Sequence, residues 1–403
     1  MNDTIGARLR VLRRWRGMTQ TELAGLAGVS TAYVSMIETG QRSLDRRTHI
    51  AGFAAALRIS ETDLVGGPHL SADRQQSDPH TAIPALREAL HVNVLGSVLT
   101  DRARPLRELS AEVTGKVEPL RAEANYADAG SLLPAILNEL YWHAAEPGDE
   151  QRRRMALETL IEACMTAGLT VKDLGYADLA HVALLHADQA AAILGDPIQR
   201  GKVECLRMWA FPRERAWDHR LAAAERAAET LEPHARSPLG IQVLGMLTLH
   251  AALSAAVARQ QQTAAHWLAE AHKLAARVPD DARGNWQSFC QSNVSVWHVA
   301  ISVEHGDAGG AVMNLAGQVD PARLGYRTRQ ARFMADVARG LARDPKMRSE
   351  AVRWLRRAED AGPQDIRNNP GSRETVAFLL QRSRADAGGR ELRGMAARMG
   401  VPH

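Results

Sequence analysis

The sequence predicts an all-α protein in two parts: a small helical unit over residues 1–66 and a long run of paired helices over residues 82–403. Three observations predict it. Hydrophobic residues make up 45% of the chain but aromatics only 4%, and the abundance of Ala and Leu suits packed helices and makes poor strands. No segment sustains the period-two alternation of a half-buried strand. Helix start and stop signals instead recur along the whole length.

The N-terminal unit reads as five helices. Ile5, Leu9 and Leu12 repeat at helical spacing among Arg8, Arg10, Arg13 and Arg14, and Gly17 ends this amphipathic helix. Thr19 is placed to cap a second helix from Gln20, with Glu22 as its capping-box partner. Leu23 and Ala27 share a face of it, Ala24 is small where another helix must cross, and Gly28 suits the left-handed turn at its end. Ser30 then caps a third helix whose buried side is Val34 and Ile37. Its other side, Thr31, Ala32, Tyr33, Ser35 and Met36, has a size suited to base edges in a major groove. Ile50, Phe53, Ala54 and Leu57 give a fourth stripe, and Ser60-Glu61-Thr62-Asp63-Leu64 a short last helix.

The stretch Gln20 to Glu38 resembles the helix-turn-helix of phage-repressor-like (XRE or Cro type) proteins. In that family a basic helix precedes the pair, a Gln opens the first helix and Glu-x-Gly closes the second. Here these are Arg8 to Arg16, Gln20, and Glu38-Thr39-Gly40, and the resemblance runs from Ile5 to Leu64. It implies a reader of double-stranded operator DNA, with the third helix in the major groove. Gln20, Thr31, Arg42 and either Arg8 or Arg14 are expected on phosphates. Thr31, Ala32, Tyr33 and Met36 are expected at bases, and Thr21 and Ser35 complete the DNA-facing set. The loop Gly40-Gln41-Arg42-Ser43 lies along phosphates in the family. Leu44 is a departure, since many members carry Pro there.

Composition sets outer bounds. A formal net charge of +4 over 403 residues is too small for a general nucleic-acid coat, so the local crowding of Arg8, Arg10, Arg13, Arg14 and Arg16, followed by Arg42, Arg46 and Arg47, is the informative feature. These arginines could bracket a DNA backbone. Cys164, Cys205 and Cys290 lie too far apart to suggest a disulfide framework or a zinc site, which points to a reduced, cytoplasmic setting. No signal sequence is evident, and no uncharged apolar run is expected to reach membrane-spanning length, so a soluble protein is expected.

Gly66-Gly67-Pro68 and the polar run Ser71 to His80 read as an exposed linker over 67–81 that lets the reader move. Beyond it, breaks are expected at Pro105, Pro119, Gly130, Pro147-Gly148, Gly168 and Gly195-Asp196-Pro197. Pro197, Pro233, Pro279, Pro321 and Pro363 follow Ala-rich helices at gaps of 36, 46, 42 and 42 residues. Buried stripes are expected at Ala264, Leu268, Ala271 and Leu274, at Ala311 and Leu315, and at Ala351, Leu355 and Ala358. This spacing is close to a tetratricopeptide-like superhelix, although longer and irregular.

A phage-repressor-like reader followed by such repeats resembles the RRNPP regulators. That layout implies a homodimer controlled by a peptide or small-molecule signal in the repeats. A protein partner on the repeats, or an interaction scaffold with a vestigial reader, is the alternative. Candidate ligand residues follow from polar groups on aromatic stripes. A helix from Gly284 to Glu304 would align Trp286, Phe289 or Cys290, Asn293, Trp297 and Ile301, and its Asn needs partners from either a neighbouring helix or a ligand. Asn138 with Trp142, and Gln242 with His250, have the same character. There is no His-Glu-x-x-His, Gly-x-Ser-x-Gly or Gly-x-x-x-x-Gly-Lys, and His181 with His186 and His266 with His272 are out of helical phase. No enzyme, cofactor or metal is expected.

Overall fold

The computed structural model describes residues 4–68, 77–97, 102–146, 149–209, 216–382 and 387–401, and among them every regular element is helical. The five N-terminal helices are α1 (Ile5–Trp15), α2 (Gln20–Ala27), α3 (Thr31–Glu38), α4 (Arg47–Leu57) and α5 (Glu61–Val65). Their ends follow local chemistry. Thr19 Oγ1 accepts the Glu22 amide at 3.2 Å while Glu22 takes the Thr19 amide at 2.7 Å, Gly28 adopts φ +66°, and Ser30 Oγ accepts the Tyr33 amide at 3.2 Å. Leu9, Leu23, Val34, Ile37, Phe53, Leu57 and Leu64 fill the core between them. Leu12, expected on the buried stripe, is only half-buried; Gly6 and Arg13 face inward instead. A Cβ on Gly6 would sit 2.2 Å from the Ile37 carbonyl oxygen, so α1 crosses the end of α3 at a distance only glycine permits.

The remainder is a succession of helices in which chain neighbours pack together, as in Glu150–Asp173 with Ala177–Leu194 and Arg327–Ala342 with Arg348–Ala361. Asp196 caps Pro197–Arg207 after a left-handed Gly195, as the sequence suggests. Three expected breaks are not breaks. Pro119 lies in a continuous helical run, just after the π-turn Val113–Val117, and Gly130 and Gly168 lie within Tyr126–Ala145 and Glu150–Asp173. The break at Pro147-Gly148 and the polar run 71–76 lie outside the described residues.

Among the buried stripes, Ala351, Leu355 and Ala358 are fully buried, but in Gly310–Ala316 the inward residues are Val312 and Ala316, one position on from those expected. The helix expected from Gly284 to Glu304 is divided. Gln287 and Ser288 take left-handed backbone in a turn at Trp286–Ser288, and the helix itself is Gln291–His305.

The expectation about apolar length is also corrected. Pro238–Val257 is a 20-residue helix with a mean hydropathy of 1.6, long and apolar enough to cross a membrane. Its whole 18-residue window is buried, packed against Ala216–Leu231, Gln261–Ala275 and Gln291–His305, so here it is a core helix.

Contacts tie the reader to the larger region, and the described end of the expected linker is packed. Asp78–Ala82 forms a 3-10 turn with Pro79 and His80 buried, and His80 Nδ1 lies 3.0 Å from the Tyr176 hydroxyl. The Trp217 indole donates to Glu61 at 3.1 Å, and the Thr48 hydroxyl to the Val257 carbonyl at 3.0 Å. Two carboxylates of the larger region clasp reader backbone directly. Glu374 accepts the Ile5 amide at 3.0 Å and the Leu44 amide at 3.2 Å. Glu304 accepts the Arg47 amide at 2.9 Å, the Arg47 side chain at 2.9 Å and Arg339 at 2.7 Å, while Arg339 also donates to the Asp45 carbonyl at 2.8 Å. The departure at Leu44 thereby acquires a physical reason, because Pro has no N–H to offer Glu374.

Candidate nucleic-acid interface and interior cavity

α3 turns Val34 and Ile37 into the core and leaves Thr31 and Ala32 exposed, with Tyr33, Ser35 and Met36 half-buried. Thr21 is exposed at the start of α2. Arg42 is exposed and places its guanidinium 5.3 Å from the centre of the Tyr33 ring, while its amide closes the loop on the Met36 carbonyl at 2.9 Å. Tyr33 Oη is 2.6 Å from His49 Nδ1. Burial pushes the Tyr33 phenol up to about 12, and burial with the nearby Arg46 charge pushes His49 down to about 4. At neutral pH the pair is therefore a phenol and an uncharged imidazole, which fixes the Tyr33 ring beside α4.

The arginine belt divides by role. Arg10, Arg14 and Arg42 are exposed. Arg13, expected with them, is buried and grips Glu38 with two hydrogen bonds of 2.5 and 2.9 Å. Arg16 donates to the Leu57 and Arg58 carbonyls at the end of α4, and Arg46 donates to the Glu304 and His305 carbonyls at the end of Gln291–His305. Each satisfies orphan carbonyls at the negative end of a helix. Arg47 is held by Glu304. Gln20, expected on a phosphate, donates to Glu38 at 2.9 Å. The carbonyls of Gly40 and Gln41, in the loop expected along phosphates, accept from Arg382. A cleft of about 520 Å³ beside the start of α3 is lined by Ser30, Arg42 and His49 on the reader side and by Arg259 and His305 on the other.

Residues 4–65 match a family model described as a helix-turn-helix domain. Two curated relatives share this part. One, named an HTH-type transcriptional repressor RghR from Bacillus subtilis (strain 168), is 40% identical over 57 residues, covering 14% of this chain and 42% of that protein. The other, an uncharacterized HTH-type transcriptional regulator RghRB from the same organism, is 37% identical over 68 residues, covering 17% and 49%. The chain thus spans less than half the length of each. No solved structure matches. The match and the geometry of α2 and α3 agree on a helix-turn-helix in residues 4–65.

In the region after residue 68 the ligand candidates separate. Gln242, Trp286 and Trp297 line a cavity of about 900 Å³, together with Trp209, His250 and Arg329. Reader residues Ile50 and Val65 form part of the same wall. Gln242 is already engaged, donating to Asn285 at 2.8 Å and accepting the Trp286 amide at 2.9 Å, so it braces the 286–288 turn. Asn293 is fully buried, its amide nitrogen 3.4 Å from the Gln287 carbonyl, and is not part of the cavity lining. Asn138 and Trp142 lie elsewhere. Asn138 accepts from Asn93 at 2.6 Å, a bond to the end of a neighbouring helix, and the Trp142 ring packs edge-on to His143 of its own helix at 4.9 Å. The sequence reading missed Arg329, on Arg327–Ala342, and Trp209, in the turn after Pro197–Arg207, neither of which carries a local signal.

The clasp has a pH signature. Burial, with a contribution from Asp45, raises the Glu374 carboxyl to about 7 against the pull of the Ile5 and Leu44 amides. Released, the group would titrate near 4.5. The folded state therefore holds the proton more tightly, and its stability falls as pH rises from about 4.5 to about 7, by roughly 3 kcal/mol in all. Glu304 is the opposite case. Burial opposes ionisation there, but Arg339 and Arg47 outweigh it and hold the carboxyl at about 2, so its contribution is full above about 4.5 and lost as pH falls towards about 2. Melting temperature measured across this range should show a decline towards neutral pH that Glu374→Gln flattens. An identical slope in the variant would refute the assignment.

Proposed function

We propose that the chain is a bacterial DNA-binding transcription regulator that reads an operator as a homodimer and is controlled by a signal bound to its tetratricopeptide-like region, residues 82–403. The observation that carries the reading is the exposed N-terminal half of α3, with Thr31 and Ala32 open to solvent, within a segment matching the helix-turn-helix family. Those residues have the reach to meet base edges when the helix lies in a major groove. Arg42, Arg10 and Arg14 remain to engage phosphates, while Arg13, Arg46 and Arg47 serve the scaffold. One reader covers one half-site, so a two-fold dimer is the route to useful affinity. The names of the two Bacillus relatives agree with regulation of transcription. The reading assigns no catalysis, and its setting is the cytoplasm, where the DNA is.

Selection of bound sequences from random duplex DNA, followed by titration across salt, tests it. The expected result is an enriched palindrome with affinity falling steeply as salt rises. Arg42→Ala should weaken binding across sequences and reduce the slope of log affinity against log salt by about one. Failure to enrich any sequence, both alone and with cell extract present, would overturn the reading.

A further inference from the structure

Arg329, on Arg327–Ala342, is a half-buried cation that faces the cavity without an anionic partner. Among the described residues its guanidinium makes neither an ion pair nor a hydrogen bond, although it lines the 900 Å³ cavity. The nearby carboxylates are committed elsewhere. Asp173 and Asp365 are bound by Arg332 at 2.7 and 2.8 Å, Asp173 also by Lys172 at 2.7 Å, and Glu118 by Arg121 at 2.8 Å. Burial and the neighbouring charges of Arg332 and Arg121 press the Arg329 guanidinium down to about 10. An unpaired charge in such surroundings costs stability, and a bound anion would relieve that cost.

Another part of the lining is aromatic. Trp209, His250 and Trp297 pack together with ring centres 4.9, 5.3 and 6.0 Å apart. A small inorganic anion would satisfy Arg329 and leave this wall and most of the volume unused. The volume itself falls in the range of about 300–1,000 Å³ typical of small-molecule sites. We propose that this cavity binds a small organic anion with an aromatic or hydrocarbon body, the anionic group seated on Arg329 and the body against Trp209, His250 and Trp297. Ile50 and Val65 complete the wall, so the ligand touches the reader and the larger region at once. Arg339, which lines the cavity, also holds Asp45 and Glu304. Occupancy therefore favours the docked arrangement, because only that arrangement presents both walls.

The inference rests on the signal-controlled reading but is tested without DNA, so failure of operator selection and failure of ligand binding are separate results. The full chain is titrated with 1-anilinonaphthalene-8-sulfonate and with its uncharged counterpart N-phenyl-1-naphthylamine, following probe fluorescence and quenching of tryptophan. Saturable one-to-one binding of the sulfonate is expected. Arg329→Gln should weaken it by about tenfold or more, the scale of a charge-assisted hydrogen-bonded pair, while the uncharged probe binds parent and variant alike. Equal sulfonate affinity in parent and variant would overturn the proposal, as would a sulfonate affinity no better than that of the uncharged probe. Arg329→Met provides a second readout. Without probe it should melt at or above the parent temperature, since it removes an uncompensated charge; a fall of several degrees would make Arg329 a support of the fold and overturn the proposal.

Discussion

Glu304→Ala is expected to detach the N-terminal domain from its docking surface and to cost about 3–5 kcal/mol, because it takes one of two carboxylate partners from a buried guanidinium and the only acceptor from a backbone amide. Arg339 is 6% exposed and directs one arm at Glu304. Asp336 occupies its other arm at 2.9 Å, one turn away on the same helix, and cannot replace the lost partner without abandoning that bond. The same substitution leaves the Arg47 amide, at the start of α4, without its acceptor. Two consequences are separable. Denaturant midpoints report the stability loss, and hydrogen exchange at the Arg47 amide reports release of the reader. A variant with parental exchange at Arg47 would show that the reader is held by the other contacts alone.

The second large effect lies inside the reader. Glu38 is 6% exposed, and besides the two bonds from Arg13 it accepts one from Gln20. One carboxylate thus joins the basic helix α1, the first residue of α2 and the last residue of α3. Glu38→Ala should destabilise the reader by about 3–5 kcal/mol through the uncompensated Arg13, abolish binding of any selected operator and leave most of the helical signal intact. Glu38→Gln, which keeps the shape and one acceptor, should fall between. Calorimetry resolves the loss, and operator titration reads its effect on function. Parental DNA affinity in Glu38→Ala would show that α3 keeps its position without this junction.

What was legible in the chain was local. The capping pair Thr19 and Glu22, the Ser30 cap, the left-handed Gly28 and the buried pair Val34 and Ile37 each depend on residues within four positions, and each lies where its spacing places it. The roles of the arginines were not legible, because whether Arg13 or Arg46 faces phosphate or protein depends on Glu38 in one case and on carbonyls 258 residues away in the other. The divided helix at 286–291 was hidden for a similar reason. A Cβ on Gly245 would lie 1.9 Å from the Phe289 ring, so the absence of a side chain on one helix leaves room for a turn in another, at Gln287 and Ser288, residues that do not themselves signal left-handed backbone. The cavity is likewise a property of assembly, since its cation, its rings and its reader wall come from segments far apart in the chain.

The core helix Pro238–Val257 bears on how the molecule comes together during synthesis. While the chain emerges, this apolar stretch without Asp, Glu, Lys or Arg stays exposed to water until partners arrive. Two of those partners, Ala216–Leu231 and Gln261–Ala275, are its immediate neighbours in sequence, so it can be covered by short-range encounters rather than by a distant segment. A nascent chain halted before the second neighbour is complete would present a sticky apolar face to the cell. The third partner, Gln291–His305, follows soon after, so only a chain made through residue 305 contains all three helices that cover this one.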